Sequence, residues 1–146
     1  MTIPLHPTIL AAEDSDEDFE AIAEAFRTAF GEEEAQVELR RARSGDECLQ
    51  ELETLPIPPR LLLLDLNLPG YDGRDILQRL RSPSCSYTVP VVVLTTSANP
   101  RDVDLCLQHG VNEYHVKPFR YQDHLKLLSD FFTRWRLTLG STPLSG

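Results

Sequence analysis

Four stretches of this chain end an apolar run on side chains that can do chemistry. Glu13 and Asp14 follow residues 8–12, Asp65 closes the run that begins at Leu61, Thr95 and Thr96 close residues 91–94, and Lys117 closes residues 113–116. Singly, each has an ordinary explanation: a cap or turn acid, a β-forming Thr with a satisfied hydroxyl, a solvated Lys. Brought together they define one chemistry. Two carboxylates about 4 Å apart repel by roughly 4 kcal/mol at an effective dielectric of about 20, so Glu13, Asp14 and Asp65 need a counter-charge. Oxygen donors without histidine or thiolate select Mg2+ over zinc, and Mg2+ with few protein ligands keeps waters and accepts a phosphoryl oxygen. Lys117 offers a second phosphoryl oxygen a point charge and Thr95 offers a third a hydroxyl. Asp65 is left as the nucleophile, because a carboxylate can accept a phosphoryl group as an acyl phosphate.

Residues so far apart in sequence meet only if the intervening elements bring them to one edge. The hydrophobic period switches between strand-like and helix-like five times, which predicts βα units on a parallel sheet, where ligands collect outside the carboxyl ends of the strands. Residues 8–12 form the first strand. Ser15 caps a helix with Asp16, Glu17 and Asp18 in its first turn, where the helix dipole favours anions, and with Phe19, Ile22, Phe26 and Phe30 on one face. Residues 37–42, with their arginines, suit an edge strand. Ser44 and Gly45 open a helix with Cys48, Leu49 and Leu52 inward. The run 61–66 is a strand covered on both faces, and Pro69-Gly70 turns the chain into a helix through Ile76, Leu77 and Leu80. A polar loop over 82–88 leads to the strand 91–95, Asn99-Pro100 starts a helix that Gly110 ends, and residues 113–116 are the last strand. A final helix over 121–139 completes a single domain, 1–139, followed by a frayed tail, 140–146.

Composition narrows the function classes. The 146 residues are 41% hydrophobic and 25% charged, the make-up of one soluble domain. Net charge is −9, and residues 1–55 hold 15 of the 23 acids with only 4 of the 14 bases, so no basic stripe is present for DNA or RNA. Cys48, Cys85 and Cys106 have neither disulfide-framework nor CxxC spacing, which fits small hydrophobes in a reducing cytoplasm. No apolar run approaches a membrane span, and the N-terminus has no signal-peptide pattern. His6, His109, His115 and His124 lack ligand spacing and are expected at the surface or at helix ends.

The segments ILAAEDS, LLLLDLNLPGYDG, PVVVLTTS and EYHVKPF resemble the receiver domain of two-component response regulators, and the likeness runs over residues 8–137. Within that family, DLNLPGYDGRDIL, VPVVVLTTSANPRD and an aromatic final helix are most similar to the single-domain regulators of cyanobacterial phytochromes. The resemblance implies a doubly wound, flavodoxin-like sheet of five parallel strands in the order 2-1-3-4-5, with helices on both faces. It implies that a sensor histidine kinase such as a phytochrome phosphorylates Asp65. Asp14, Asp65 and the Asn67 backbone carbonyl would bind Mg2+ directly, with Glu13 acting through a water. It also implies a cis peptide between Lys117 and Pro118, and a Thr95/Tyr114 switch that relays phosphorylation to the far face.

Such a chain is not a classical enzyme: it accepts a phosphoryl group, loses it again, and signals through altered protein binding. A Mg2+-dependent phosphohydrolase would want an acid two residues after its nucleophile, where this chain has Asn67. A mere scaffold has no reason to keep mutually repelling carboxylates. One further expectation concerns self-association. On the final helix Leu125, Leu128, Phe132, Trp135 and Leu139 recur at intervals of three and four, and Leu127 and Phe131 widen that stripe. Roughly 19 residues span about 28 Å, longer than a five-residue strand needs. A homodimer through Leu127, Phe131, Phe132 and Trp135, beside the fourth helix and fifth strand, is therefore expected.

Overall fold

The computed structural model describes residues 6–31, 37–85 and 88–140, the last four as backbone only. Five strands alternate with five helices: β1 Thr8–Ala12, α1 Asp16–Phe30, β2 Glu38–Ala42, α2 Gly45–Thr54, β3 Leu61–Leu64, α3 Gly73–Leu80, β4 Val91–Thr95, α4 Pro100–Gln108, β5 Glu113–Val116 and α5 Tyr121–Gly140. The strands are parallel and ordered β2-β1-β3-β4-β5, as the family resemblance implied. The tail beyond Gly140 and the Leu139 side chain lie outside the described residues.

Strand side chains alternate between two cores because the pleat has period two. Ile9, Ala11, Leu61, Leu63, Val92 and Leu94 face α1 and α5, whereas Leu10, Ala12, Leu62, Leu64, Val91 and Val93 face α2, α3 and α4. The three central strands are buried on both sides, which is why their sequences read as unbroken apolar runs. Each of the first four helices starts at a side-chain cap: Ser15, Ser44, Asp72 and Asn99 accept from backbone N–H groups that the helix leaves unpaired. Gly73 is required by contact, since a Cβ there would run into the Asp65 carbonyl and the Leu66 backbone. That close approach lets the chain turn back directly under Asp65. Cys48 and Cys106 pack as small buried hydrophobes.

Three expectations are corrected. Phe131 and Phe132 do not project from α5 but are fully buried in the chain's own core. The extra length of α5 lies along the 15-residue α1 as well as over the sheet, so comparison with a strand alone underestimated what the helix has to cover. Phe132 meets Phe26 and Phe30 edge-on at ring centroid distances of 6.0 and 6.1 Å, and Phe131 packs on Trp135 at 5.5 Å. Leu127 and Trp135 are half-buried, and the Trp135 indole N–H donates to Glu113. His124 is at a helix end, in the first turn of α5, but it is buried near Asp18 of α1 rather than exposed. His115 is neither exposed nor at a helix end, being half-buried on β5 against Glu113 and the Phe131 ring. The Lys117–Pro118 peptide is trans, like every described peptide bond; the Lys117 N–H continues the parallel ladder to the Thr95 carbonyl at 2.7 Å.

The aromatic cluster between α1 and α5 makes Phe132 a stability determinant. Phe132→Ala is expected to cost about 3–5 kcal/mol, read as a lower urea midpoint with the slope unchanged.

Candidate functional site

Ladder bonds that run one rung past the strands set the reactive side chains at the carboxyl edge. Glu13 N–H donates to the Ala42 carbonyl at 2.9 Å and Asp65 N–H to the Ala12 carbonyl at 3.1 Å. Together with the Lys117 rung, these bonds hold three chain ends in register. Glu13, Asp14 and Asp65 offer carboxylate oxygens that all lie within 4.8 Å of one another. Glu13 and Asp65 are buried, while Asp14 faces solvent. Lys117, its side chain 5% exposed, reaches into this group and meets Glu13 Oε1 at 2.6 Å, Asp18 Oδ2 at 2.9 Å and Asp65 Oδ2 at 3.0 Å.

The electrostatics follow from that crowding. Burial works against the Lys117 ammonium, but the charge and hydrogen bonds of Glu13, Asp18 and Asp65 outweigh it and hold its pKa above the usual lysine range. Burial also pushes the Glu13 carboxyl above its ordinary value, and Lys117 limits the rise. Three carboxylates share the one ammonium and Asp14 adds a fourth charge beside them, so the edge keeps an excess of negative charge even with Lys117 in place. The sequence reading assigned the whole counter-charge to a cation; the structure assigns part of it to Lys117. The remainder suits a hard divalent ion, because the cluster consists of oxygen donors with no imidazole or thiolate among them. Asn67 lies beside it, its backbone N–H donating to Asp65 Oδ1 at 3.0 Å.

Thr95 is fully buried at the end of β4. Its hydroxyl oxygen accepts from Ser97 N–H at 3.3 Å and from the Asn67 amide at 3.4 Å, and its own O–H donates to no group among the described residues. Tyr114 on β5 donates its hydroxyl to the Ser97 carbonyl at 2.8 Å. Ser97 therefore touches both residues expected to form the switch. Its own hydroxyl donates to Asp102 on α4, and Asp102 takes a two-pronged pair from Arg74 of α3 at 2.7 and 2.8 Å.

The structure brings Glu13, Asp14, Asp65, Asn67, Thr95 and Lys117 to one edge, with Tyr114 one residue further out through Ser97. It does not bring Leu127, Phe131, Phe132 or Trp135 there; they belong to α5 and the core behind it. Two further residues belong to the site without a signal in the sequence: Asp18, whose position suits a helix-dipole acid, and Arg41, whose position suits an edge-strand charge. The Arg41 guanidinium stacks 4.8 Å over Phe19 and donates to the Glu13 and Asp14 carbonyls at 3.0 and 3.2 Å, which fixes the backbone of the acid pair. Contacts across 27 to 99 positions leave no local signal, so neither role was readable from spacing.

A doubly wound parallel sheet with acids, a hydroxyl and an ammonium converging on its carboxyl edge has the architecture of a phosphoryl-receiving signalling domain. The pattern of the response regulator receiver domain matches residues 14–129, and the chain belongs to that family. It is 36% identical over 134 residues to response regulator Rcp1 of Synechocystis sp., covering 90% of each chain. Its fold matches the Mn(2+)-bound form of Rcp1 with a TM-score of 0.79 at 32% identity, covering 96% of this chain and 99% of that one. It also matches the phosphorylated cyanobacterial phytochrome response regulator RcpA with a TM-score of 0.78 at 30% identity, covering 94% and 97%.

The Ser97–Asp102–Arg74 contacts tie the β4–α4 loop to α3. Hydrogen bonds from Arg74, with Ser97 adding to them, push the Asp102 carboxyl down to about 2. A carboxyl whose folded pKa lies below its unfolded value of about 3.9 stabilises the fold above that value, and this stability is lost as pH falls toward the folded pKa. Asp102→Asn should therefore be less stable than the parent by on the order of 2 kcal/mol at neutral pH. Urea denaturation should show that difference shrinking as pH is lowered from about 4 to about 3.

Proposed function

We propose that this chain is a phosphorylation-controlled switch that receives its phosphoryl group on Asp65 from the phosphohistidine of a sensor histidine kinase. The observation that carries the reading is the placement of the buried Asp65 carboxylate between a set of oxygen donors and the Lys117 ammonium 3.0 Å away. Asp65 attacks phosphorus, the P–N bond of the donor breaks, the imidazole leaves and a mixed anhydride remains on Asp65. Lys117 neutralises one phosphoryl oxygen, and the unengaged Thr95 O–H donates to another. Asp14, Asp65 and the Asn67 carbonyl would hold Mg2+, with Glu13 behind a water. The ion supplies charge neutralisation for the third oxygen. Water later hydrolyses the anhydride, so the chain turns itself off and is not a classical enzyme.

The output is altered protein binding. If Thr95 swings toward the phosphoryl group, Ser97 N–H loses its acceptor and the loop that carries the Tyr114 partner shifts, which makes Thr95 and Tyr114 the switch pair. Among the described residues, the exposed large apolar side chains are Val116 at the end of β5, the fully exposed Phe119 two residues beyond Lys117, and Leu107 near the far end of α4. Leu107 and Val116 are also where a homodimer would form, in place of the buried Phe131 and Phe132. Likeness to a cyanobacterial phytochrome response regulator supports a phytochrome as the kinase. No helix is long and apolar enough to cross a membrane among the described residues, which suits a cytoplasmic partner of such a kinase, and the acidic surface suits no nucleic acid.

Intact mass after incubation with acetyl phosphate and Mg2+ should show one added phosphoryl group on the parent chain and none on Asp65→Asn. Peptide mapping that places the group on any other residue overturns the assignment.

A further inference from the structure

An ammonium carries three N–H groups, and Lys117 Nζ has three carboxylates within 3.0 Å: it donates to Asp18 and Asp65 and forms an ion pair with Glu13 at 2.6 Å. The three are not equivalent. Glu13 and Asp65 belong to the oxygen cluster that suits a divalent cation, and Asp18 does not. Asp18 sits in the first turn of α1, its backbone N–H donating to the capping Ser15 hydroxyl at 3.2 Å, so its carboxylate is delivered from a fixed helix end rather than from a loop. It has no other ion pair among the described residues. The nearby titratable group on α5, His124, is buried with neither ring nitrogen hydrogen-bonded, and burial lowers its pKa, so a neutral imidazole offers Asp18 no rival charge.

We propose that Asp18 is a positioning residue for Lys117: it retains the ammonium by one N–H while Glu13 and Asp65 turn to the metal, leaving the other two N–H groups free for a phosphoryl oxygen. The inference deepens the phosphoryl-acceptor reading and rests on it. A buried lysine must keep a partner. Without Asp18, Lys117 has only Glu13 and Asp65 to pair with, and it stays on them in competition with the cation. Asp18 thus lets one site hold both an ammonium and a divalent ion without either displacing the other. With Asp18 removed, metal affinity falls because Lys117 is in the way, not because a negative charge has gone.

That distinction is measurable by calorimetric titration with MgCl2 alone, with far-UV circular dichroism and the thermal midpoint confirming that each variant is folded. Asp18→Ala should weaken Mg2+ binding by about three- to tenfold, as residues in one ion-pair network couple. Asp18→Asn keeps an amide oxygen that can accept from Lys117 and should fall between the parent and the alanine variant. In a Lys117→Ala background, Asp18→Ala should have no effect on Mg2+ binding. Equal weakening in both backgrounds, or no weakening in either, overturns the proposal, since the first is a plain field effect and the second leaves Asp18 without a role. At saturating Mg2+, Asp18→Ala should also take phosphoryl from acetyl phosphate more slowly than the parent. A parent chain that takes no phosphoryl group would overturn the acceptor reading, while the Mg2+ cycle would still decide how Asp18 acts.

Discussion

An ammonium that is 5% exposed and lies within 3.0 Å of three carboxylates is the constraint around which the carboxyl edge of this sheet is built. Burying a charge is tolerable only when its partners are fixed, because in a poorly solvated place an unpaired ion costs several kcal/mol. Each partner here is fixed by a different element: Glu13 by the rung after β1, Asp65 by the rung after β3, Asp18 by the capped first turn of α1. Lys117 itself hangs from the rung after β5. The strand order places β1 and β3 side by side with β4 between β3 and β5, so three elements distant in sequence deliver charge to one point.

The same charge arithmetic makes the site chemically incomplete in a useful way. Four carboxylates and one ammonium leave an excess of anion that repels a phosphoryl donor; on the proposed reading a divalent cation would reverse that repulsion while Lys117 and Thr95 supply directional contacts. Arg41 steadies the arrangement from below by holding the Glu13 and Asp14 carbonyls, which keeps the acid pair from relaxing away from its neighbours. Repulsion among the acids is thus held in check by the backbone and by Lys117.

Much of this was legible in the sequence, for identifiable reasons. Strands buried on both faces must be apolar throughout, so residues 61–64 and 91–95 announced themselves, and the capping side chains at Ser15, Ser44 and Asn99 marked where helices begin. The reactive residues could be read because they sit at the ends of those runs. What could not be read is partnership across the fold. Periodicity located Phe131 and Phe132 on the apolar arc of α5 but could not say that Phe26 and Phe30 of α1 already cover Phe132, or that Phe131 packs among Phe132, Trp135 and His115. The N-terminal acids of α1 looked alike in sequence, yet only Asp18 among them reaches Lys117, 99 positions away.

The route from the site to the surface follows from the same economy of hydrogen bonds. Thr95 is buried and its O–H donates to nothing among the described residues, so a phosphoryl oxygen beside Asp65 offers it a bond that it lacks. On the proposed reading, moving toward that oxygen withdraws the acceptor from the half-buried Ser97 N–H, which favours a shift of the loop. Ser97 is the residue that can least move alone. Its carbonyl accepts from Tyr114 and its hydroxyl donates to Asp102, which Arg74 grips with two bonds from α3. A displacement at Thr95 must therefore either break the Asp102 contact or carry the start of α4 with it. Either outcome disturbs the loop between β4 and α4, so on the proposed reading the chemistry at one sheet edge reaches the start of α4 through one serine.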